Sequence, residues 1–488
     1  MLLRRTLSSR LPHYLPKKFF HKSYRLSKRE DFENPIERTF KVLTNNVKDT
    51  YKRFVNAGSN EVMSHSSFPT HSDVVVIGGG AIGSSISYWL KEKSNADSFS
   101  VIVIEKDLTY SQCSTCLSVG GLRQQFSLPE NIQMSLYGAE FLRTLKHRFG
   151  PHADVCFTPH GYLLLASETG AEQLIENSRL QNDLGAKNCI LGRQQLKERF
   201  PWMNVEDVEI GCLGLEKEGW FDPWSLLQLI KEGAASKGAG FVNGEVIDFK
   251  FDNREDIIVD GITQSSVEMP RSVVVKTPDG EERSIHFSLC VIAAGPDSGK
   301  LAEKLKIGTG EGLLAFPLPV ERRKRYVFSF DCEKNPPGLN TPMTIDTTGA
   351  YFRRDGLGGR FLCGISPEEN DEPATDNLDV NYEFFDTHLW PIIANRVPAF
   401  NAVKVKGAWG GFYEYNRFDE NGIVGPHPHY NNIYIATGFS GHGIQQSPAI
   451  GRAVAELILD GRFQTIDLTR LGFDRVLLEL PLLESRIF

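Results

Sequence analysis

The chain has 488 residues, of which 41% are hydrophobic and 24% charged, and its formal net charge is −7. This composition is ordinary for a globular protein with two or three domains' worth of core. No run of eighteen apolar residues predicts a membrane span, and the negative net charge argues against a general nucleic-acid-binding function.

The N-terminus differs in charge from the rest of the chain. Residues 1–29 contain nine Lys and Arg residues and no acidic residue, with Ser, Leu and Phe between them. This pattern predicts a mitochondrial transit peptide, and a disordered basic tail is the alternative. We therefore expect the mature protein in the mitochondrial matrix or at the matrix face of the inner membrane. Residues 30–71 are polar, with a weak helical pattern, and we interpret them as a linker, with a partner-binding arm as the alternative.

A strand, a glycine turn and a helix follow in the stretch DVVVIGGGAIGSSISYWL, residues 73–90. Gly78, Gly80 and Gly83 match G-x-G-x-x-G, in which the glycines permit the tight turn, the approach of a pyrophosphate and close helix–strand packing. The helix N-terminus, with Ala81 and Ile82, offers N–H groups and partial positive charge to phosphate. This segment predicts a dinucleotide site.

A second apolar run, VIVI at 101–104, ends in Glu105 and Lys106. Glu105 follows the last glycine of the motif at the spacing expected for the carboxylate that binds an adenosine ribose. The motif alone does not separate FAD from NAD. The loop that follows contains small hydroxyl residues and glycines that can line a pyrophosphate and approach a flavin ring, namely Ser114, Thr115, Gly120 and Gly121.

The same loop contains a C-x-x-C pair, Cys113 and Cys116, among eight cysteines that are mostly scattered along the chain. Such spacing occurs in redox dithiols and in half of a zinc site. No partner pair lies nearby, so we predict no metal site. We interpret the two cysteines as small residues of a phosphate-binding loop, with dithiol chemistry near a flavin as the alternative.

Four motifs in order resemble the D-amino-acid oxidase/sarcosine oxidase superfamily of FAD-dependent oxidoreductases, over roughly residues 72–465. They are VVVIGGGAIGSS, the S-T-x-x-S-V-G-G loop, VIAAGPDS (291–298) and NIYIATGFSGHGIQQSPAIGRAVAELI (432–458). The resemblance implies an α/β fold, with a Rossmann-like FAD-binding domain of the glutathione-reductase type and a mixed-sheet substrate domain. Further motifs, EGWFDPW, RKRYV and GAYFRR among them, resemble a mitochondrial branch whose family role is in assembly of respiratory complex I.

The resemblance also implies a division of the chain. The FAD-binding domain is expected at about 72–125, 190–215, 235–310 and 425–465. The substrate domain is expected at about 126–189, 216–234 and 311–424, followed by a C-terminal tail at 466–488. A helix is expected to begin near Ser447. Further cofactor-binding positions implied by the resemblance are Val246, Ala294, Gly295, Gly438, Gly441, His442, Gly443 and Ile444.

The sequence departs from relatives at positions that matter for chemistry. Leu117 and Phe412 stand where some sarcosine-type enzymes attach flavin covalently, so we expect noncovalent FAD. Leu362 stands where monomeric oxidases place an oxygen-activating Lys, so a dehydrogenase is more probable than an oxidase. Gln445 replaces a Lys that holds the substrate carboxylate. The catalytic residues are unknown; the candidates are Arg123, Tyr351, Arg353, His442 and Gln445.

Two functions follow from the resemblance. In one, the chain is a mitochondrial flavoprotein required for complex I assembly, with assembly intermediates or subunits as partners. In the other, it is a metabolic amine or amino-acid dehydrogenase of the sarcosine/dimethylglycine type with no direct assembly role. The substrate would then be a small carboxylate, and the electrons would pass to a carrier.

Overall fold

The computed structural model describes residues 68–94, 98–254, 267–485 and 487. The predicted transit segment and residues 30–67 of the predicted linker lie outside these described residues. Within them the chain forms two sheets of eight strands each and one two-stranded sheet. The strands are, in chain order, β1 (His71–Ile77), β2 (Val101–Glu105), β3 (Gly121–Leu122), β4 (Tyr162–Ala166), β5 (Asn188–Gly192), β6 (Ile210–Gly214), β7 (Gly219–Trp220), β8 (Ala239–Asn243), β9 (Glu245–Arg254), β10 (Val267–Lys276), β11 (Glu282–Ile292), β12 (Val320–Cys332), β13 (Met343–Ile345), β14 (Tyr351–Arg354), β15 (Arg360–Gly364), β16 (Val403–Asn416), β17 (Ile423–Pro426) and β18 (Ile433–Thr437).

The helices of the described residues lie between these strands and after the last of them. The α-helices are α1 (Ala81–Lys93), α2 (Pro129–Arg143), α3 (Leu145–Phe149), α4 (Glu168–Asp183), α5 (Arg193–Arg199), α6 (Pro223–Ser236), α7 (Ser298–Lys304), α8 (Trp390–Arg396), α9 (Gly443–Asp460) and α10 (Asp474–Leu477). Short 3₁₀ turns lie at Gly295–Asp297, Gly312–Ala315, Glu369–Asp371, Pro398–Ala402 and Thr469–Leu471, and a π-helical turn at Phe385–Leu389.

The first sheet is built on the apolar runs that predicted buried strands. Its order is β17–β18–β11–β1–β2–β8, and β9 and β10 extend it beside β11. The pairs from β18 to β8 are parallel, whereas β17 pairs antiparallel with β18. Val75, Val76 and Val103 are fully buried, as expected for parallel strands that are covered on both faces.

Helices α1, α2, α6 and α9 share one apolar core with the first sheet. Small residues let them approach closely. A Cβ on Gly451 of α9 would lie 2.2 Å from the Ser85 hydroxyl of α1, and one on Gly233 of α6 would lie 3.3 Å from the Tyr88 ring. These packed helices hold the N-termini of α1 and α9 at fixed positions.

The second sheet is mixed, as predicted. Its order is β16–β12–β15–β14–β13–β4–β6–β5, and β13 and β4 are parallel whereas the other pairs are antiparallel. An aromatic core covers one part of it, with Phe328, Phe330 and Phe400 fully buried. The long pairing of β12 with β16 ends near the first sheet, so both strands contribute to the cleft described below.

The structure corrects three parts of the predicted domain division. Strands β5 and β6 belong to the second sheet, although residues 190–215 were expected in the FAD-binding domain. Helix α6, most of which lies in the 216–234 segment expected in the substrate domain, packs in the core of the first sheet, and so does α2. A short apolar run does not indicate which sheet it will join, because the strand that it pairs with can lie far away in sequence.

The third correction concerns residues 466–488, which were expected to be a tail. Leu468, Leu471 and Phe473 are buried, and Arg475 forms a buried ion pair with Asp419. The segment is therefore part of the folded core. In the part of the chain that the structure describes, no helix combines the length and apolar content needed to cross a bilayer.

Candidate functional site

A cleft of about 1360 Å³ opens where β1, β2 and β11 end. The first sheet lines it at the carboxyl ends of these strands, and the second sheet contributes Arg322 of β12 and Phe412 and Tyr413 of β16. Because β1 lies between β2 and β11, the cleft sits at the strand-order reversal where open α/β sheets bind ligands. Its volume exceeds that of ordinary small-molecule pockets, which suits a ligand as large as a dinucleotide.

The glycine turn between β1 and α1 has the geometry that the motif predicts. Gly78 has a φ of 102°, and a Cβ there would lie 2.2 Å from the carbonyl oxygen of Ala293. A Cβ on Gly83 would lie 1.8 Å from the carbonyl oxygen of Gly78. By contrast, a Cβ on Gly80 would meet only Thr115 Oγ1 at 3.4 Å and Cys113 Sγ at 3.7 Å. Gly80 is therefore dispensable for packing and is required only if a ligand occupies the cleft beside it.

Gly80 is the N-cap of α1, which begins at Ala81. The first N–H groups of a helix have no intrahelical acceptor, and Ala81 donates its N–H to Thr115 Oγ1 at 3.1 Å. Ala81 and Ile82 line the cleft, whereas Gly83 lies behind them. This helix end suits the diphosphate of a dinucleotide.

Glu105 is held at the end of β2 by two backbone donors. Its Oε2 accepts the N–H of Gly79 at 2.7 Å, and its Oε1 accepts the N–H of Asp107 at 3.0 Å. A carboxylate has about four lone-pair sites, so both oxygens retain capacity for ribose hydroxyls. Lys106 also lines the cleft and pairs with Asp297 at 2.6 Å.

The loop at residues 110–121 has two parts with different tasks. Ser114 and Thr115 line the cleft. Gly120 and Gly121 are instead explained by packing: a Cβ on Gly120, whose φ is 70°, would lie 2.0 Å from the Phe221 carbonyl oxygen, and one on Gly121 would lie 1.8 Å from the Tyr162 hydroxyl. These two glycines shape the loop and are not among the residues that border the cleft.

Three other predicted cofactor positions form a further part of the cleft wall. Val246 follows the turn between β8 and β9, and Ala294 and Gly295 follow β11. All three line the cleft. Gly295 has a φ of 54° and begins a 3₁₀ turn, which places small residues and exposed backbone along this wall.

The loop between β18 and α9 approaches the cleft from the carboxyl side. Gly438 and Gly441 have φ values of 82° and 90°, which favour glycine. Gly441, Gly443 and Ile444 line the cleft, whereas Gly438 and His442 do not. Glu414 of β16 anchors this loop, because it accepts the Thr437 hydroxyl at 2.7 Å and its carbonyl accepts the Ser440 N–H at 3.0 Å.

Helix α9 begins four residues earlier than predicted. It starts at Gly443, and the expected start, Ser447, lies inside it, where its hydroxyl donates to the Ile444 carbonyl at 2.9 Å. Pro448 is the sixth residue of α9 and has no N–H to donate to the Ile444 carbonyl, which accepts the Ser447 hydroxyl instead. The Gly443 N-terminus, not Ser447, therefore faces the cleft.

Two of the catalytic candidates lie together beside one aromatic ring. The Arg123 guanidinium lies 4.5 Å from the centre of the Phe126 ring, and the His442 ring packs edge-on to the same ring at 5.0 Å. Burial, with the nearby charge of Arg123, lowers the pKa of His442 to about 3. His442 is therefore neutral at physiological pH and can accept a proton but holds it weakly.

Gln445 serves a structural purpose in this arrangement. Its Oε1 accepts the backbone N–H of Arg123 at 2.8 Å, and its Nε2 donates to Ser135 Oγ at 3.3 Å. The side chain is 5% exposed. It bridges α9, the loop after β3 and α2, so its polar atoms are committed to the fold.

Tyr351 and Arg353 lie on β14, outside the residues that border the cleft. Arg353 donates to the Val119 carbonyl at 3.1 Å and stacks over the Trp220 ring at 5.5 Å. Burial raises the pKa of Tyr351. Arg353 therefore supports the loop that precedes Gly120. Burial raises the pKa of Tyr162, and the charges of Arg123 and Arg353 both oppose that shift, so both guanidinium groups lie near this ring.

Sequence reasoning missed two buried groups near this region. Glu218, 2% exposed, accepts the N–H of Gln124 at 2.8 Å and the side-chain amide of Gln125 at 3.0 Å. Burial raises its pKa to about 7. Tyr110 lines the cleft with a φ of 57°, and its hydroxyl is without a hydrogen-bond partner in the described residues. Glu218 is the first residue of the EGWFDPW motif, and this motif is the sequence feature that could have identified it.

Comparisons with known proteins identify the family of the chain. Residues 73–457 match the family model described as FAD dependent oxidoreductase. The chain is 46% identical over 477 residues to the FAD-dependent oxidoreductase domain-containing protein 1 homolog of Drosophila melanogaster, covering 92% of each chain. It is 49% identical over 433 residues to FAD-dependent oxidoreductase domain-containing protein 1 of Xenopus laevis, covering 86% of this chain and 85% of the relative.

A solved structure supports the fold as well. The L-proline dehydrogenase of P. horikoshii superposes with a TM-score of 0.70 at 25% identity, covering 85% of this chain and all of that one. The predicted fold class and superfamily are therefore confirmed. The chain belongs to the family of FAD-dependent oxidoreductases.

Proposed function

We propose that this chain is a flavoprotein of the oxidoreductase type that binds FAD noncovalently in the cleft. The observation that carries the proposal is Gly80, whose missing side chain leaves open space beside the N-terminus of α1 and near Glu105. The glycine turn and Ala81 would hold the diphosphate, Glu105 the ribose, and the Gly441–Ile444 segment the ring system. FAD supplies a two-electron acceptor to such a site.

The side chains at the two attachment positions of relatives support noncovalent binding. Leu117 packs beneath Gly411 of β16, and its carbonyl accepts the Trp409 indole N–H at 2.8 Å. Phe412 lines the cleft. Neither side chain contains a nucleophilic atom. Acid precipitation of the purified protein should leave the yellow colour in the supernatant, and colour in the pellet would contradict this part of the proposal.

We propose further that the protein acts in mitochondria in the assembly of respiratory complex I. Support comes from the resemblance to a mitochondrial branch with that role and from the basic, acid-free residues 1–29. Assembly intermediates or subunits of complex I are the partners that this role implies. A fusion of residues 1–29 to a fluorescent protein should reach the matrix. If the fusion protein stays in the cytosol, residues 1–29 no longer support a mitochondrial location.

Complementation of a knockout cell line tests the assembly role and its need for FAD. Gly80→Val should block FAD binding and keep the fold, because among the described residues a Cβ there meets only Thr115 Oγ1 at 3.4 Å and Cys113 Sγ at 3.7 Å, which are ordinary contacts. Gly338→Val is the matched control, since a Cβ there meets nothing within 4 Å and Gly338 lies away from the cleft. We expect the control to restore complex I and Gly80→Val to fail. Absence of rescue by the unaltered chain would refute the assembly role.

A second candidate function is dehydrogenation of a small amine or amino acid that carries a carboxylate. Arg123 and His442, which both contact the Phe126 ring, favour it, because a guanidinium can clamp a carboxylate and a neutral imidazole can accept a proton. In such a reaction the substrate would lose a hydride and a proton, and FAD held by the glycine turn and Glu105 would supply the two-electron acceptor, with a carrier as the final oxidant. Leu362, buried on β15, supports a carrier as acceptor in place of oxygen.

Anaerobic mixing with candidate amines and hydroxy acids separates the two functions. Bleaching of bound flavin by one substrate, lost in Arg123→Ala and kept in the exposed control Arg193→Ala, would favour the enzyme. If Arg123→Ala binds FAD and restores complex I fully, catalysis at this pocket is not needed for assembly. Failure of every pocket variant to restore complex I would instead favour an enzyme.

A further inference from the structure

The loop at residues 110–121 brings two thiols to the edge of the cleft. Cys113 lines the cleft, and its Sγ would lie 3.7 Å from a Cβ built on Gly80. Cys116 is likewise partly exposed. The Cys113 thiol therefore borders the place where the diphosphate would lie, beside the first turn of α1, and Cys116 follows three residues later, outside the lining of the cleft.

The backbone of this loop forms a helical turn. The N–H of Leu117 donates to the Cys113 carbonyl at 3.1 Å, and the N–H of Ser118 donates to the Thr115 carbonyl at 3.3 Å. Residues three apart in such a turn face the same side, with Cβ atoms about 5–6 Å apart. A disulfide needs about 3.5–4.5 Å, so the pair can close if the turn tightens.

The remaining cysteines differ from this pair. Cys212, Cys290, Cys332 and Cys363 are buried, Cys189 is partly buried on β5 and Cys156 is exposed, and none of these six lines the cleft. Interaction with the Cys116 thiol, with a further hydrogen bond from Thr115, lowers the pKa of Cys113. Cys113 is the one of the two thiols that lines the cleft, so an oxidant in the cleft reaches it first. In the described residues no group of three or more His, Cys, Asp and Glu side chains is placed to hold a metal ion.

We propose that Cys113 and Cys116 are a redox-active dithiol that closes to a disulfide when FAD is absent, and that disulfide formation and FAD binding oppose each other. The oxidant is a low-molecular-weight disulfide such as oxidised glutathione. The Cys113 thiolate attacks one of its sulfurs and releases one glutathione thiolate. The Cys116 thiol then gives up its proton and attacks Cys113 Sγ, releasing the second glutathione. Two electrons pass from the protein to the oxidant.

Thr115 connects the two events. It lies between the cysteines, and its hydroxyl accepts the N–H of Ala81 at the start of α1. Tightening the turn displaces Thr115 and so disturbs the helix end that would hold the diphosphate. Bound FAD, in turn, covers Cys113 and keeps the turn open. Thermodynamic linkage requires that FAD binding disfavour the disulfide by the same factor by which the disulfide weakens FAD binding.

The experiment uses the full chain in FAD-free and FAD-loaded form, equilibrated in glutathione buffers of graded ratio. Differential alkylation and mass spectrometry then give the state of each cysteine. We expect a Cys113–Cys116 disulfide in the FAD-free protein and at least fivefold less of it at saturating FAD. The Kd for FAD, followed by flavin fluorescence, should rise at least fivefold on oxidation and recover with dithiothreitol.

Three variants make the outcome specific. Cys113→Ser and Cys116→Ser should each abolish the redox dependence of the Kd, whereas Cys156→Ser should keep it. Full alkylation of both cysteines at every glutathione ratio, or an unchanged Kd after disulfide formation, would overturn the proposal. The opposition between the two events rests on the proposed FAD site. A reduced protein that does not bind FAD would refute that site, while the disulfide is scored separately by mass.

Discussion

The hydroxyl of Thr115 accepts a hydrogen bond from the backbone N–H of Ala81 at 3.1 Å, across 34 residues of sequence. Through this bond the loop that follows β2 satisfies one of the free donors at the start of α1. Gly80, the N-cap of that helix, has no side chain to do so. The glycine that opens space for a ligand therefore needs a capping residue from elsewhere in the chain.

Thr115→Val should remove this cap while preserving the shape of the side chain. Loss of a cap costs about 1 kcal/mol, so we expect the FAD-free protein to lose about that much stability. The Kd for FAD should rise about fivefold if the same energy is lost on binding. Urea unfolding and flavin fluorescence measure the two effects. Thr115→Ser keeps the hydroxyl and should resemble the unaltered chain; equal loss in both variants would contradict the capping role.

Glu105→Ala should weaken FAD binding more strongly. The carboxylate fixes the amides of Gly79 and Asp107, and hydrogen bonds to charged groups contribute about 1.5–3 kcal/mol each. We expect the Kd for FAD to rise at least tenfold. Glu105→Gln retains one acceptor oxygen, so its Kd for FAD should lie between those of the unaltered chain and Glu105→Ala. The exposed control Glu333→Ala, far from the cleft, should change the Kd less than twofold; a comparable change there would mean that net charge, not Glu105, sets the affinity.

Sequence patterns predicted the part of the site whose residues lie close together along the chain. The apolar run of β1, the spacing of Gly78, Gly80 and Gly83, and the acid that closes β2 all fall within 33 residues, and the structure places them around one cleft. Resemblance to the family extended this to Val246 and the loop before α9.

Contacts between residues that are far apart in sequence could not be predicted from such patterns. Gln445 was expected near a substrate, but it bridges Arg123 and Ser135, more than 300 residues away. The assignment of β5 and β6 to a sheet depends on where β4 lies. A hydrogen bond or strand pair of this kind depends on the folded arrangement of both partners, and neither residue type nor periodicity reports it.

The buried ion pair of Arg475 with Asp419 predicts that the C-terminal segment is essential for stability. Arg475 donates to both carboxylate oxygens, at 2.7 and 3.0 Å, and to the carbonyls of Asn421 and Gly422. Arg475→Ala leaves Asp419 charged and buried, which costs about 3–5 kcal/mol. We expect a large drop in the urea midpoint of unfolding.

The exposed pair of Lys404 and Glu333, 2.8 Å apart, supplies the control for this experiment. Lys404→Ala should change stability by less than about 1 kcal/mol, because exposed pairs are screened by water. If Arg475→Ala costs no more than Lys404→Ala, the segment after residue 465 does not anchor the fold. Removal of residues 466–488 should then also be tolerated, which we do not expect.

Glu218 predicts a dependence of stability on pH. Burial raises its pKa to about 7, above the value of about 4.3 in an unfolded chain. Between these values the folded state binds one more proton than the unfolded state, so stability falls as pH rises from about 4.3 to 7 and levels off above. The slope is about 1.4 kcal/mol per pH unit at most. The stabilisation that the protonated Glu218 contributes is fully present below the unfolded pKa of about 4.3 and is lost above the folded pKa of about 7.

Glu218→Gln should remove this slope, since an amide does not titrate. The buried Oε1 of Gln125 has no hydrogen-bond partner among the described residues, and a turn of that amide would let it accept from a protonated Glu218 or from its amide replacement. Urea unfolding at pH 5, 6, 7 and 8 should show the unaltered chain losing stability relative to Glu218→Gln up to pH 7. A pH-independent difference between the two would show that Glu218 stays ionised in the folded protein, held by the N–H of Gln124 and the amide of Gln125.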